Sequence, residues 1–264
     1  MPAAREAADC FTAALIMSRF RILFETLPAP GACVAVPPDQ AHHLARVRRL
    51  AVGDAVECID RAGARCPGTI AALDAGGVTV RADAAAQILA PAGVRLTVVA
   101  AMLPENRFDY LLQKCTEIGV AACQPIVAER SVVREHRAAI ARKVARWQRI
   151  CDEAARQCGG APMRVQTPLG FDAAVRLPYA WRVIADREGE PFDACLSAAP
   201  AADDAAVMIG PEGGFTPTET AVAVEHAWQR ARFHVNILRA ETAAVVCCAL
   251  LQHALTAHAQ PQEL

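Results

Sequence analysis

A glycine-rich segment, Gly210 to Gly214, has the composition and position of a ligand-binding loop. It reads Gly-Pro-Glu-Gly-Gly, follows the apolar run Ala205 to Ile209, and precedes a helix start at Thr216. In open α/β sheets, ligands bind beside the carboxyl ends of strands, where glycines let the backbone approach them. A plain tight turn is the alternative interpretation. The spacing matches neither the G-x-G-x-x-G fingerprint nor a P-loop, so neither of those nucleotide sites is indicated.

Two charged residues, Arg239 and Glu241, interrupt the apolar stretch from Ile237 to Ala243. This stretch also follows a strand-like run, Arg232 to Leu238, and opens the last helix of the chain. Burying unpaired charges costs several kcal/mol. The two residues therefore either form a structural ion pair or act on a ligand.

Composition argues against several other classes of protein. The eleven cysteines include no C-x-x-C pair and lie scattered in apolar runs, as reduced core thiols of a cytosolic protein do. The net charge of −1 gives no global basic field, and no secretory signal is found. No apolar run reaches the roughly 20 residues of a membrane span. We therefore expect a cytoplasmic protein without a bound metal or a membrane anchor.

Basic residues cluster in two places where phosphates could bind. Seven Lys or Arg lie between Glu129 and Arg149, and Arg46, Arg48 and Arg49 form a second cluster. A solvated helix face is the alternative interpretation of either cluster.

The elements that must position these residues fall into two regions. Short β-like runs at residues 34–36, 56–59, 68–70 and 78–80, with one helix beginning at Pro38, predict a small β-barrel or sandwich. From Val94 onward, strand-length apolar runs alternate with helical patterns, which predicts a mainly parallel α/β sheet. We expect an extension over residues 1–17, a β domain over 18–86, a linker over 87–93, an α/β domain over 94–258 and a tail over 259–264.

Local signals predict where several helices begin and end. Gly119 suits the C-cap of an amphipathic helix that begins near Asn106, and a basic helix is predicted over residues 137–158. Thr216, Pro217 and Glu219 form a capping-box pattern at another helix start. The last helix, residues 242–255, is apolar on nearly all sides, so we expect its burial within the domain or in a subunit interface.

Five ordered motifs together carry a family resemblance. They are the glycine-rich segment, Leu238-Arg239-Ala240-Glu241-Thr242-Ala243, His42 to Val47 with Val52-Gly53-Asp54, Gln113 to Val120, and Pro125 with Glu129 to Val133. Together they resemble the ribosomal RNA small subunit methyltransferase E family of the SPOUT superfamily, over about Arg19 to Gln252.

This resemblance implies a PUA-like β-barrel domain followed by a SPOUT-type α/β trefoil-knot methyltransferase domain, and a homodimer. It also implies S-adenosyl-L-methionine bound among three knot loops, which would be Asp186 to Gly189, Gly210 to Gly214, and Ile237 to Ala243. The implied cofactor-binding residues are Glu188, Gly189, Ile209, Gly210, Pro211, Glu212, Gly213, Gly214, Ile237, Leu238, Arg239, Glu241, Thr242 and Ala243.

The implied reaction is methylation of N3 of a specific uridine in the 16S rRNA of the small ribosomal subunit. Because N3 carries a proton, a general base would help; Glu212 and Glu241 are the candidates, although Glu212 could instead structure its loop. Arg239 could stabilise the uracil oxygen that gains charge. The RNA-binding candidates are Arg19, Arg21, His42, His43, Arg46, Arg48, Arg49, Lys114, Arg130 and Arg134. For Lys114, an ion pair with Glu117 on the same helix is the alternative.

Departures from the family pattern keep other functions open. Arg156 and Gly160 stand where the family has an acid and an arginine, and Asn236 and Ala240 also depart from it. One alternative is another SPOUT RNA methyltransferase, acting on a ribose 2′-hydroxyl or a different base. A second is a catalytically weakened RNA-binding protein. A nucleotide-dependent oxidoreductase is disfavoured because the G-x-G-x-x-G fingerprint is missing.

Overall fold

The computed structural model describes residues 20–42, 50–88, 94–131, 137–200, 202–234 and 236–259. The described residues form two compact units. The first contains the described residues up to Ile88 together with Ala155–Ala161, and the second contains the other described residues. Six RNA-binding candidates lie outside the described residues: Arg19, His43, Arg46, Arg48, Arg49 and Arg134.

The first unit is built on one β-sheet. Its elements are β1 (Arg21–Phe24), β2 (Cys33–Ala35), α1 (Pro38–His42), β3 (Ala55–Asp60), β4 (Ala64–Asp74), β5 (Gly77–Ala82) and β6 (Gln87–Ile88). The strand order is β1-β3-β4-β5-β2, and β6 also pairs with β4. The strands around residues 34, 57, 69 and 79 are therefore confirmed, whereas β1 and β6 were not predicted.

Alternation along the strands gives this unit its core. From Ala64 to Ile70, buried residues alternate with half-buried ones, as expected of a strand with one face on the core. Ile22, Cys58, Ile70 and Val80 are among its buried residues. Gly68 packs tightly inside this core, because a Cβ atom there would lie 3.0 Å from the Cys58 sulfur and 2.9 Å from a Val80 methyl carbon.

The second unit is an α/β domain with a parallel sheet. Its strands are β7 (Arg95–Ala101), β8 (Ala122–Val127), β9 (Arg164–Val165), β10 (Leu169–Gly170), β11 (Trp181–Pro191), β12 (Asp204–Ile209) and β13 (Gln229–Arg232). Its helices are α2 (Glu105–Ile118), α3 (Arg137–Cys158, of which the residues from Ala155 onward belong to the first unit), α4 (Phe171–Ala174), α5 (Phe192–Ser197), α6 (Pro217–Glu225) and α7 (Ala240–Ala259). Every described pairing is parallel, in the order β10-β8-β7-β12-β11-β13 with β9 beside β8, which confirms the predicted sheet type.

The central strands of this sheet are buried on both faces. Along β7, Val98 and Ala100 belong to one apolar cluster, while Val99 and Ala101 belong to another. Successive side chains of a strand point to opposite faces, so the sheet separates two cores. This explains why its strands read as continuous apolar runs rather than as alternating ones.

Three of the helix predictions are confirmed. Gly119 caps α2 with a φ of 90°, in the left-handed region that favours glycine. The basic helix spans Arg137–Cys158, as predicted. At the start of α6, Thr216 accepts a hydrogen bond from the Glu219 N–H, and the Glu219 carboxylate accepts one from the Thr216 N–H, which completes the capping box.

The last helix is partly buried within this chain. Ala244, Cys247, Cys248 and Leu251 are buried, but Leu250 on another face is 39% exposed. Among the described residues, α7 packs one side on α2 and the sheet, so burial within the domain accounts for that side. The alternative of a subunit interface stays a prediction.

The burial of most described cysteines agrees with the prediction of core thiols. The described cysteines are all free, and all of them except Cys33 and Cys158 are buried. Burial raises the pKa of the Cys151 thiol to about 12, which keeps it protonated at neutral pH. In the part of the chain that the structure describes, no helix is long and apolar enough to cross a membrane, and no cluster of side chains could hold a metal ion.

Candidate active site

The glycine-rich segment forms a tight turn at the carboxyl end of β12. The Gly214 N–H donates a 2.8 Å hydrogen bond to the Pro211 carbonyl oxygen, and Gly214 has a φ of +67°. An L side chain rarely adopts this conformation, so glycine is needed here for the backbone. The loop leads directly to the N terminus of α6, where backbone N–H groups carry partial positive charge. The predicted strand, loop and helix arrangement is confirmed.

Arg130 packs against this loop from the segment that follows β8. Its Nη1 atom donates a 2.8 Å hydrogen bond to the Gly213 carbonyl oxygen. A Cβ atom at Gly213 would lie 3.3 Å from the Arg130 Cδ atom. The RNA-binding candidate Arg130 therefore also supports the candidate cofactor loop, a contact that the sequence did not indicate.

The capping box also contacts the segment that follows β8. The Glu219 Oε2 atom accepts from the Thr216 N–H at 2.9 Å, while its Oε1 atom accepts from the Glu129 N–H at 2.8 Å. Glu219 and Thr216 are both buried. One carboxylate thus joins the start of α6, directly after the glycine-rich turn, to the loop after β8.

The second predicted loop lies at the start of α7. Ile237 is 74% exposed, and Arg239 and Thr242 are also exposed. Glu241, by contrast, is 8% exposed, and its Oε2 atom is buried without a hydrogen-bond partner among the described residues. A buried carboxylate oxygen without a donor is costly in a folded protein. Glu241 is therefore the residue of this loop that most needs a ligand or a counter-ion.

Arg107 brings the two candidate acids together. Its Nη1 atom forms an ion pair with Glu212 of the glycine-rich turn, and its Nε atom lies 4.0 Å from the Glu241 Oε1 atom. Arg107 lies in the first turn of α2, which follows the carboxyl end of the central strand β7. Sequence reasoning missed it, although a charged residue just beyond a central parallel strand was the available signal. No ion pair between Arg239 and Glu241 is found in the described residues.

The third predicted loop is an irregular stretch inside β11. Its pairing with β13 shifts register between Ala185 and Glu190, so the four residues between them bulge out of the ladder. A Cβ atom at Gly189 would lie 2.6 Å from the Arg230 carbonyl carbon, so glycine is required there by strand packing. Arg230 is 2.7 Å from Asp186 and 3.5 Å from Glu188.

Three other RNA-binding candidates have structural contacts or lie on the surface. Lys114 is 2.8 Å from Glu117, so the predicted ion pair on α2 is found. Within the first unit, Arg21 is 2.6 Å from the buried Glu57 and donates hydrogen bonds to the carbonyl oxygens of Arg156 and Gln157. His42 is exposed at the end of α1.

Comparisons with known proteins agree with this arrangement. A family model described as an RNA methyltransferase domain matches residues 90–252, more than half of the chain, and one described as an RNA methyltransferase PUA domain matches residues 36–83. The ribosomal RNA small subunit methyltransferase E of Synechocystis sp. is 30% identical over 243 residues, which cover 88% of this chain and 78% of that protein. The chain belongs to the ribosomal RNA small subunit methyltransferase E family. The suspected family is therefore confirmed.

Solved structures of family members and related methyltransferases share both domains. A methyltransferase of Legionella pneumophila, in complex with bound S-adenosylmethionine, is 25% identical with a TM-score of 0.81, covering 89% of this chain and 97% of that one. The small subunit methyltransferase E of Neisseria gonorrhoeae, also bound to S-adenosylmethionine, is 25% identical with a TM-score of 0.78 and the same coverage. The predicted fold class, a PUA-like domain followed by a SPOUT-type α/β domain, is confirmed.

Proposed function

We propose that this protein uses S-adenosyl-L-methionine to methylate N3 of a uridine in the 16S rRNA of the small ribosomal subunit. The observation that carries the proposal is the convergence of Glu212 and Glu241, from the two predicted cofactor loops, on Arg107. Family membership supplies the reaction class. The methyl donor is the one bound in the Legionella and Neisseria structures.

The residues of this site fit the cofactor. Gly214 has a φ of +67° and leaves open space where a side chain would begin, and the Glu241 Oε2 atom, which has no donor among the described residues, can accept a hydrogen bond. We assign cofactor binding to the predicted residues: Glu188, Gly189, Ile209, Gly210, Pro211, Glu212, Gly213, Gly214, Ile237, Leu238, Arg239, Glu241, Thr242 and Ala243. When bound, the cofactor supplies an electrophilic methyl group on a sulfonium. For Gly189, strand packing supplies a second reason for glycine.

Among the two acids, Glu241 is the better placed general base. Glu212 is already paired with Arg107 and is exposed, which suits a residue that structures its loop. The buried Oε2 atom of Glu241 has no hydrogen-bond donor among the described residues, which suits a carboxylate that takes the N3 proton. Arg239 is exposed in the same loop, where its guanidinium can stabilise the uracil oxygen that gains negative charge. Orientation of the uracil supplies much of the remaining rate enhancement.

The RNA must present an unpaired or extruded uridine, because N3 lies on the base-pairing edge. We assign its binding to the first domain, residues 18–86, and to basic residues of the domain at 94–258, with residues 87–93 as the linker. The contacts proposed are those of Arg19, Arg21, His42, His43, Arg46, Arg48, Arg49, Lys114, Arg130 and Arg134. The half-exposed face of α7 supports a homodimer, and ribosomal RNA as substrate supports a cytoplasmic location.

The test is methyl transfer from labelled cofactor to small ribosomal subunits and to naked 16S rRNA, followed by identification of the modified nucleoside by mass spectrometry. We expect label on 3-methyluridine. Label on a ribose 2′-hydroxyl or another base would instead support a related SPOUT activity. Cofactor and RNA binding without any transfer would support the RNA-binding alternative, which rests on Arg156 and Gly160.

A further inference from the structure

The charges around Arg107 do not balance. Two carboxylates, Glu212 and Glu241, face one guanidinium, that of Arg107. Among the described residues, no other cation lies within 4.0 Å of either acid. Glu212 takes the close contact, and Arg107 reaches Glu241 only at 4.0 Å. One negative charge is therefore left largely uncompensated, and it lies on Glu241.

This remaining charge is buried rather than solvated. Glu241 is 8% exposed, and its Oε2 atom has no hydrogen-bond donor among the described residues. A carboxylate removed from water gains more from a nearby cation than an exposed one, because the local dielectric is lower and salt screens it less. The neighbouring Arg239 is exposed, so solvent screens its charge.

We propose that the Arg107–Glu212–Glu241 triad selects the cofactor by charge, favouring the cationic sulfonium form over the neutral thioether product. The proposal rests on the proposed function and deepens it. Loss of the methyl group converts a positively charged sulfonium into an uncharged thioether. A site with one uncompensated carboxylate loses a favourable interaction at that moment and releases the product more readily. Arg107 sets the strength of this preference, because it neutralises the charge of Glu212 and leaves that of Glu241 largely uncompensated.

The experiment compares dissociation constants by calorimetry for S-adenosylmethionine, S-adenosylhomocysteine, and an analogue with an ammonium group at the sulfonium position. The measured quantity is the affinity for each cation relative to the homocysteine form. Glu241→Gln should lower this preference roughly 5- to 30-fold for both cations, because one charge at short range is removed. Glu212→Gln should act in the same direction, because Arg107 is then free to pair with Glu241. Arg107→Met should raise the preference.

Glu117→Gln is the matched control, because it removes the same charge from an acid that is also paired with a cation on α2. The preference of this variant for the two cationic ligands over S-adenosylhomocysteine should equal that of the wild type. An unchanged preference in folded Glu241→Gln and Glu212→Gln proteins overturns the proposal. Equal weakening of all three ligands also overturns it, since the acids would then shape the site without selecting charge. If the wild type binds none of the three, both this proposal and the proposed function fail.

Discussion

The backbone N–H of Glu129 donates a 2.8 Å hydrogen bond to the Oε1 atom of Glu219, across 90 residues of sequence. The second carboxylate oxygen of Glu219 caps α6 through the Thr216 N–H. A buried side chain thus holds two separate backbone segments, and the glycine-rich turn lies directly before one of them. The precision of that turn therefore depends on a residue outside it.

Glu219→Ala should destabilise the protein strongly. It leaves two backbone donors without partners, and each buried unsatisfied donor costs about 1–3 kcal/mol. We expect the free energy of unfolding to fall by about 2–4 kcal/mol in denaturant titrations. Glu225→Ala, at an exposed position in the last turn of the same helix, should change it by less than about 0.5 kcal/mol. Similar effects of the two variants would contradict the bridging role.

The glycine-rich turn gives a prediction about cofactor binding. Gly214→Val places a β-branched residue at a φ of +67°, and Gly213→Val adds atoms where a Cβ already lies 3.3 Å from Arg130. We expect folded variants that no longer bind S-adenosylmethionine, measured by calorimetry alongside circular dichroism. Gly214→Ala tests backbone strain separately from side-chain volume, because a Cβ atom at this position meets nothing within 4 Å. Tight cofactor binding by either Val variant would place the ligand elsewhere.

Sequence patterns predicted the features of this fold that depend on neighbouring residues. The capping box at Thr216 and the C-cap at Gly119 are set within a few residues, so local chemistry identified both. The parallel sheet followed from apolar runs long enough for strands buried on both faces. β1 was missed because Arg21–Phe24 is four residues long and gives too short a pattern.

The features of the site that could not be predicted from the sequence are contacts between residues far apart in the chain. Arg107 meets Glu212 only because β7 and β12 are adjacent parallel strands whose carboxyl ends share one edge. Nothing local to Arg107 distinguishes it from other charged residues in a first helical turn. Arg130 was assigned to RNA from its basic neighbourhood, and only its contact with Gly213 indicates a second role. For Glu241, an acid in an apolar stretch could be recognised from the sequence, but not that its Oε2 atom lacks a donor among the described residues.

Arg130→Ala should weaken cofactor binding, because it removes the hydrogen bond that fixes the Gly213 carbonyl group. A hydrogen bond from a charged donor contributes about 1.5–3 kcal/mol, and exposure of this side chain favours the lower end. We expect a loss of affinity of roughly tenfold for S-adenosylmethionine, measured by calorimetry without RNA. Arg142→Ala removes an exposed arginine of α3 and controls for the lost charge. Equal affinity of both variants would leave Arg130 with an RNA role alone.

The cluster of Arg46, Arg48 and Arg49 gives a prediction about RNA binding that rests on sequence. Replacing all three with Gln should weaken RNA binding and make its salt dependence shallower, by about 0.7–0.9 in log–log slope per lost phosphate contact. Filter binding across a salt series measures both quantities. The control is the double variant Arg61→Gln and Arg81→Gln, because each of these arginines is paired with a carboxylate. An unchanged slope in the triple variant would indicate that the cluster is a solvated surface that contacts no phosphate.

Catalysis and binding can be separated at Glu241 and Arg239. Glu241→Gln keeps the shape of the side chain but cannot take a proton, and a general base contributes roughly 10²–10⁴-fold. Turnover should therefore fall by that factor at saturating S-adenosylmethionine, which removes any effect on cofactor affinity. Arg239→Ala should also lower turnover, because its guanidinium stabilises charge that develops mainly in the transition state. RNA affinity should change far less than turnover in both variants.

The same experiment decides between an enzyme and an RNA-binding protein. Glu117→Gln removes an acid from α2 outside the site and should retain wild-type turnover. If Glu241→Gln lowers turnover no more than this control does, Glu241 is not the base, and Glu212→Gln becomes the next variant to measure. If the wild type binds cofactor and small subunits yet leaves every uridine unmodified, the substitutions at Arg156 and Gly160 have removed activity. Restoring the family's acid and arginine at these two positions should then restore methylation, because the loops that carry Glu241 and Gly214 are intact.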